Sequence, residues 1–189
     1  MKNIIETNIN NLIKIRDNQS LLDKIEEATE LLTSALRQGL PVLVCGNGGS
    51  ASDALHISGE LVGRFNFDRK PLNVICLNTN VTVITAWAND IEYNSVFSRQ
   101  VEAHGVSGGV LWGLSTSGNS KNIIAAFKTA KHIGMKTIAF TGETGGVLKN
   151  FSDILCNVPS MDTPRIQEMH IILYHNICHH IEMTLKNVH

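Results

Sequence analysis

The chain has 189 residues, 43% hydrophobic and 17% charged, enough for one domain with its own core and too apolar for a disordered tail. A formal net charge of −1, with no run of Lys or Arg, argues against broad electrostatic attraction to nucleic acid or to an anionic membrane. Met1–Asn10 lacks the apolar segment of a signal peptide, other apolar runs are too short to span a bilayer, and the four cysteines lack CxxC spacing, so a cytoplasmic protein with reduced thiols is expected.

Ile5, Ile9, Leu12 and Ile13 recur at helical spacing. A second amphipathic helix is expected over Leu21–Arg37, with Gly39 as its stop. These lead-in helices, residues 1–38, carry apolar surface that needs a partner, either the following domain or another subunit. From residue 39 to 189 the rhythm changes. Strands are expected at Pro41–Cys45, Leu72–Leu77, Val110–Leu114, Thr137–Phe140 and Ile154–Val158. Between them, helices are expected over Ala51–Gly63, Val81–Ala88, Ile91–His104 and Ser120–His132, and a long last helix over Pro164–Leu185. The alternation predicts an α/β fold: a doubly wound, mainly parallel five-stranded sheet in a three-layer sandwich.

In such sheets ligands bind beyond the carboxyl ends of the strands. Three Gly/Ser/Thr-rich loops fall there: Gly46–Ser50, Ser115–Ser120 and Thr141–Gly146. The first offers close backbone approach and a helix N-terminus. The second adds hydroxyls at Ser115, Thr116, Ser117 and Ser120. Gly and Ser also punctuate ordinary turns, but two loops of this kind, one so rich in hydroxyls, favour a phosphate ligand. A nucleotide is disfavoured: there is no GxxxxGK[ST], and the strand after the first loop ends in Leu77-Asn78, without the acidic residue that would hold a ribose.

A second constellation is helical. His56 and Glu60 share a face, and Gln167 and His175 share a broad face of the last helix. A carboxylate and an imidazole are what an aldose–ketose interconversion requires, one moving the carbon-bound proton and the other the oxygen-bound proton. The same His/Glu/Gln/His set suits a divalent metal such as zinc, with Gln an unusual ligand. By spacing alone a plain surface pair is the stronger reading of His56 and Glu60, and spacing does not choose among His170, His175, His179 and His180.

CGNGGSASDALHISGELVGRF (45–65), AND (88–90), FSRQVEA (97–103), GLSTSGNS (113–120), FTGETGG (140–146) and TPRIQEMHIILYH (163–175) resemble, in order and at family spacing, the phosphoheptose isomerases of the sugar-isomerase (SIS) fold. The resemblance implies conversion of sedoheptulose 7-phosphate to D-glycero-D-manno-heptopyranose 7-phosphate, the entry to nucleotide-activated heptose for lipopolysaccharide core or capsule. It implies that Asn47, Gly48, Gly49, Asn89, Asp90 and Gln167 contact the substrate and that Ser115, Thr116, Ser117 and Ser120 cradle its phosphate. It makes Glu60 the base, His175 the partner acid/base, and His56, Glu60, Gln167 and His175 the ligands of one zinc ion per subunit. It also implies a homotetramer with sites near subunit boundaries. One departure is Pro164, where some relatives carry an aspartate before the Arg165–Glu168 run. Two other readings are weighed. A related protein that associates with the DnaA replication initiator resembles Leu77–Asn80, but the pair His56 and Glu60 favours the enzyme. The sugar-sensing part of a transcriptional regulator is ranked last, because no helix-turn-helix accompanies the domain.

Overall fold

The structure is a computed structural model that describes residues 1–186; the last three positions of the expected 39–189 domain lie outside the described residues. Helices α1 (Lys2–Arg16) and α2 (Gln19–Arg37) precede strand β1 (Val42–Gly46). Then follow α3 (Gly49–Val62), β2 (Val74–Cys76), α4 (Val81–Asp90), α5 (Val96–His104), β3 (Val110–Ser115), α6 (Lys121–Ile133), β4 (Lys136–Thr141), β5 (Ile154–Asn157) and α7 (Thr163–Leu185). The five strands are all parallel, in the order β2-β1-β3-β4-β5.

Strand periodicity builds the two faces of the sheet. Val42 and Val44 of β1 point to one side, with Val110 and Trp112 of β3 and Ile138 and Phe140 of β4. There they meet Ala28 and Leu32 of α2, Ile57 and Leu61 of α3, and Leu173, Tyr174 and Ile177 of α7. The alternate residues Leu43, Cys45, Leu111 and Ala139 face Phe97 and Val101 of α5 and Ile123, Phe127 and Ala130 of α6. Each fully buried Val, Leu or Phe contributes about 1.5–3 kcal/mol relative to exposure. All four cysteines are buried and unpaired.

Asn18 caps α2 through Leu21 N–H, and Leu21, Ile25, Ala28, Leu32, Ala35 and Leu36 form its buried face. α1 differs: Ile15 is buried, whereas Ile4, Ile5, Ile9, Leu12 and Ile13 face outward. Among the described residues, no helix is long and apolar enough to cross a membrane.

Two elements depart from the expectation. The strand expected over Leu72–Leu77 pairs only at Val74–Cys76, because Leu72 N–H turns back to Leu61 C=O. The helix expected over Ile91–His104 is broken. Glu92 is extended, a 3-10 turn spans Tyr93–Ser95, and α5 begins at Val96. The Trp87 indole N–H donates to Ser95 Oγ at 2.8 Å, which folds that turn back over the end of α4. A short 3-10 turn over Val147–Phe151, on which the sequence pattern is silent, links β4 to β5.

The strand order reverses between β1 and β3, and the crevice outside the carboxyl ends of such neighbours is where open α/β sheets bind ligands. The loops after those two strands are Gly46–Ser50 and Ser115–Ser120.

Candidate active site

The hydroxyl-rich loop leaves β3 and enters α6 at its N-cap, Ser120. Gly118 N–H bonds to Ser115 C=O, and the two flanking hydroxyls, Ser115 and Ser120, lie 3.0 Å apart. Ser117 is exposed, with its Oγ accepting from Asn119 N–H at 3.1 Å. Gly118 has φ of 64°, and a side chain there would run into the backbone of Gly145. The Thr141–Gly146 loop, to which the sequence assigned no role, thus buttresses this turn. Gly142 N–H bonds to Thr116 C=O, Leu148 N–H to Gly118 C=O and Val147 N–H to Asn119 Oδ1. The result is a fixed cup of hydroxyls at a helix N-terminus, where an anion is favoured.

The first loop is built around Asn47. Its Oδ1 accepts from Asn122 Nδ2 and from the Tyr93 hydroxyl, both at 2.9 Å. Gly48, at φ of 57°, and Gly49 are exposed at the start of α3. Gln167 reaches this point from α7, its amide filling the space beside Gly49. Asn89 and Asp90 sit exposed at the end of α4, bonded to each other at 2.8 Å. Tyr93, three residues on, is what ties their segment to the Asn47 loop.

Two turns further along, α3 and α7 bring together His56, Glu60 and His175, whose ligand atoms all lie within 4.8 Å of one another. His56 Nε2 is 2.9 Å from Glu60 Oε1 and 3.4 Å from His175 Nε2. Of the four helix histidines that spacing leaves open, His175 alone joins this cluster. His170 is fully buried and bonds Thr141 C=O; His179 approaches Asn66; His180 is exposed. Burial, then the neighbouring His56, lowers the pKa of His175, so its imidazole is neutral at pH 7 and keeps a lone pair.

Two imidazole nitrogens and a carboxylate oxygen converging on one point fit a divalent metal of the zinc class, with a position left for substrate. A proton on His56 Nε2 serves the Glu60 contact and can be shared with His175 Nε2; a cation at the centre would instead take all three donor atoms. The fourth expected ligand, Gln167, is on the same helix as His175. It is eight residues before His175, a rise of about 12 Å along α7, and lies at Gly49.

Behind His56 stand residues that the sequence did not single out. Tyr174 Oη is 2.9 Å from His56 Nδ1 and 3.5 Å from Asp53 Oδ1. Burial raises the Tyr174 phenol well above its usual value, so it stays protonated, and pushes Asp53 up to about 6. A hydrogen bond on the ring nitrogen remote from the ligand position orients an imidazole. Below the cluster, buried Glu182 accepts from the N–H groups of Phe65, Asn66 and Phe67. Arg69 lies 3.2 Å from Glu182 and donates to the backbone C=O of Glu60 and Leu61. That clasp ties the end of α3 to α7 and sets Phe65 against the His175 ring. Only the folded contacts show it, since its members are far apart in sequence.

Comparison with known proteins bears on the family and the fold. The model of the SIS domain family matches residues 7–142. A phosphoheptose isomerase of Clostridium acetobutylicum is 48% identical over 189 aligned residues, covering 98% of this chain and 96% of its own. Among solved structures, a phosphoheptose isomerase from Francisella tularensis superposes with a TM-score of 0.92 at 36% identity, covering 96% of each chain. One from Neisseria gonorrhoeae gives 0.88 at 38% identity, covering 96% of this chain and 98% of its own.

Proposed function

The chain belongs to the phosphoheptose isomerase family of SIS-domain proteins, and from that premise we propose that the cleft at the ends of β1 and β3 isomerises sedoheptulose 7-phosphate to D-glycero-D-manno-heptopyranose 7-phosphate. The observation that carries this reading is the convergence of His56 and Glu60 of α3, the helix that follows the first loop, with His175 of α7, whose Gln167 reaches that loop. The reported relatives are isomerases, and none of them is a replication-initiator-associating protein.

In this reading Ser115, Thr116, Ser117 and Ser120 hold the 7-phosphate. Asn47, Gly48, Gly49, Asn89, Asp90 and Gln167 line the sugar. Glu60 removes a proton from C1 of the open-chain ketose as the C1–C2 double bond forms, then returns it to C2. His175, neutral and with a free lone pair, takes the proton from O1 and passes it to O2. Tyr174 holds the His56 ring, and the Arg69–Glu182 clasp holds α3 against α7.

His56, Glu60 and His175 would hold a zinc ion, which when bound supplies Lewis-acid polarisation of the carbonyl. Gln167 keeps both roles the family resemblance implies, sugar contact and fourth ligand; its amide lies beside Gly49. Metal ligation and proton shuttling compete for the same His175 lone pair, so metal content and activity are to be measured on one sample. Protein purified without chelator should carry near-stoichiometric metal, and His56→Ala should lose it. Retention of full metal by His56→Ala would remove the site.

A cytoplasmic homotetramer is part of the same proposal. It is supported by the outward apolar face of α1 and by a groove of about 710 Å³ lined by Ile15, Leu22 and Ile25 on one side and Ile172, Leu173 and His180 on the other. Light scattering reporting a monomer would count against it. The direct test of the reaction is incubation of the purified protein with sedoheptulose 7-phosphate, with the aldose followed by NMR. Absence of aldose overturns the reading.

A further inference from the structure

We propose that Tyr93 and Asn122 are positioning residues that lock the amide of Asn47, so that it offers the cleft a single N–H donor in one fixed direction. The inference rests on the reading above, in which Asn47 touches the sugar. Its own ground is a hydrogen-bond inventory.

An asparagine amide carries one oxygen with two lone pairs and two N–H donors, and the two ends look alike in shape. Asn47 and Asn122 form a reciprocal amide pair. Asn47 Nδ2 donates to Asn122 Oδ1, and Asn122 Nδ2 donates to Asn47 Oδ1, both at 2.9 Å. Such a pair alone reads equally well with both amides reversed. What breaks the degeneracy is the backbone: Ile123 N–H donates to Asn122 Oδ1 at 3.0 Å, so that atom must be the oxygen. Asn122 is buried, only 3% exposed, at the start of α6, and does not turn freely. The Asn47 atom facing Asn122 Nδ2 is therefore also an oxygen.

Tyr93 then completes the lock. Its hydroxyl donates to Asn47 Oδ1 at 2.9 Å and takes the second lone pair. With both lone pairs used and one N–H given to Asn122, one N–H of Asn47 is left, with no partner among the described residues. It is the one polar group this amide can present to a ligand. Tyr93 is itself half exposed, on the 3-10 turn between α4 and α5. Through one bond it both orients Asn47 and draws the segment bearing Asn89 and Asp90 toward the loop.

The test is a double-mutant cycle on the isomerase, with kcat/KM for sedoheptulose 7-phosphate and the melting temperature read for each protein. Tyr93→Phe keeps the ring and removes only the donor. It should lower kcat/KM about three- to tenfold, the worth of one net hydrogen bond, with the melting temperature unchanged because the hydroxyl is at the surface. In an Asn47→Ala background, itself reduced at least about tenfold, Tyr93→Phe should then change kcat/KM by less than about twofold. A merely structural tyrosine would move the melting temperature instead. Unchanged kcat/KM in Tyr93→Phe overturns the proposal. So does an equal loss in both backgrounds, which would mean that Tyr93 does not act through Asn47. If Asn47→Ala alone leaves kcat/KM intact, the failure lies in the reading of Asn47 as a sugar contact, and the proposal falls with it.

Discussion

Gly49→Ala places a methyl group where the structure has the amide of Gln167. An added Cβ would lie 2.5 Å from Gln167 Nε2, 2.7 Å from Cδ and 2.8 Å from Oε1. Since carbon contacts are comfortable at about 3.5–4.0 Å, the amide must withdraw by about 1 Å. The obstacle is the end of a flexible side chain, so the withdrawal costs about 0.5–1.5 kcal/mol in rotamer strain. Against that, Gly49 is the first residue of α3, and Ala is favoured over Gly in a helix by up to about 1 kcal/mol. The two nearly cancel, and thermal unfolding should place the variant within about 1 kcal/mol of the parent. Activity should not be spared, because a displacement of about 1 Å in a group that orients substrate costs about a hundredfold. NMR-monitored turnover of sedoheptulose 7-phosphate on the same preparation separates the two effects. Activity within about twofold of the parent, at unchanged stability, would show that Gln167 does not act from this position.

Ser117→Ala removes a hydroxyl from the cup and should weaken phosphate-dependent binding by about 1–3 kcal/mol, seen as a raised KM; an unchanged KM would move the phosphate elsewhere. The acid limb of stability should carry the mark of His170. Burial lowers its pKa from 6.5 to about 4, so between those pH values the unfolded chain binds a proton that the folded chain refuses. Stability is therefore lost as pH falls from 6.5 toward 4, by about 3 kcal/mol from this residue. His170→Gln should flatten that part of the melting-temperature profile, and an unchanged slope would refute the assignment.

The sheet was legible because its signals are local. Val42–Cys45 and Thr137–Phe140 are short apolar runs closed by Gly- or Thr-rich turns, and each forms a strand. Ile91–His104 reads as one helix because nothing local marks the break; the Trp87–Ser95 bond that makes it is a tertiary contact. The same divide runs through the site. Spacing puts His56 and Glu60 on one face without separating them from a surface pair and does not choose His175; the family resemblance names all three, and the structure brings them together by laying α7 alongside α3. Tyr174, Asp53, Asn122, Tyr93 and the Arg69–Glu182 clasp act across gaps in sequence and use residue types common in any core or turn. Gln167 shares a broad face of α7 with His175, eight residues away, and its amide lies beside Gly49.

The central claim is that Glu60 moves the carbon-bound proton. Glu60→Gln keeps the shape of the side chain and removes its ability to accept that proton. The hydroxyl cup lies in another loop, so binding of the phosphate should persist. The measurement is kcat of Glu60→Gln for sedoheptulose 7-phosphate, followed by NMR, with metal content determined on the same sample. A fall of about a thousandfold or more, with KM little changed, is the predicted result. A kcat within about tenfold of the parent, a barrier change of only about 1.4 kcal/mol, would contradict the account.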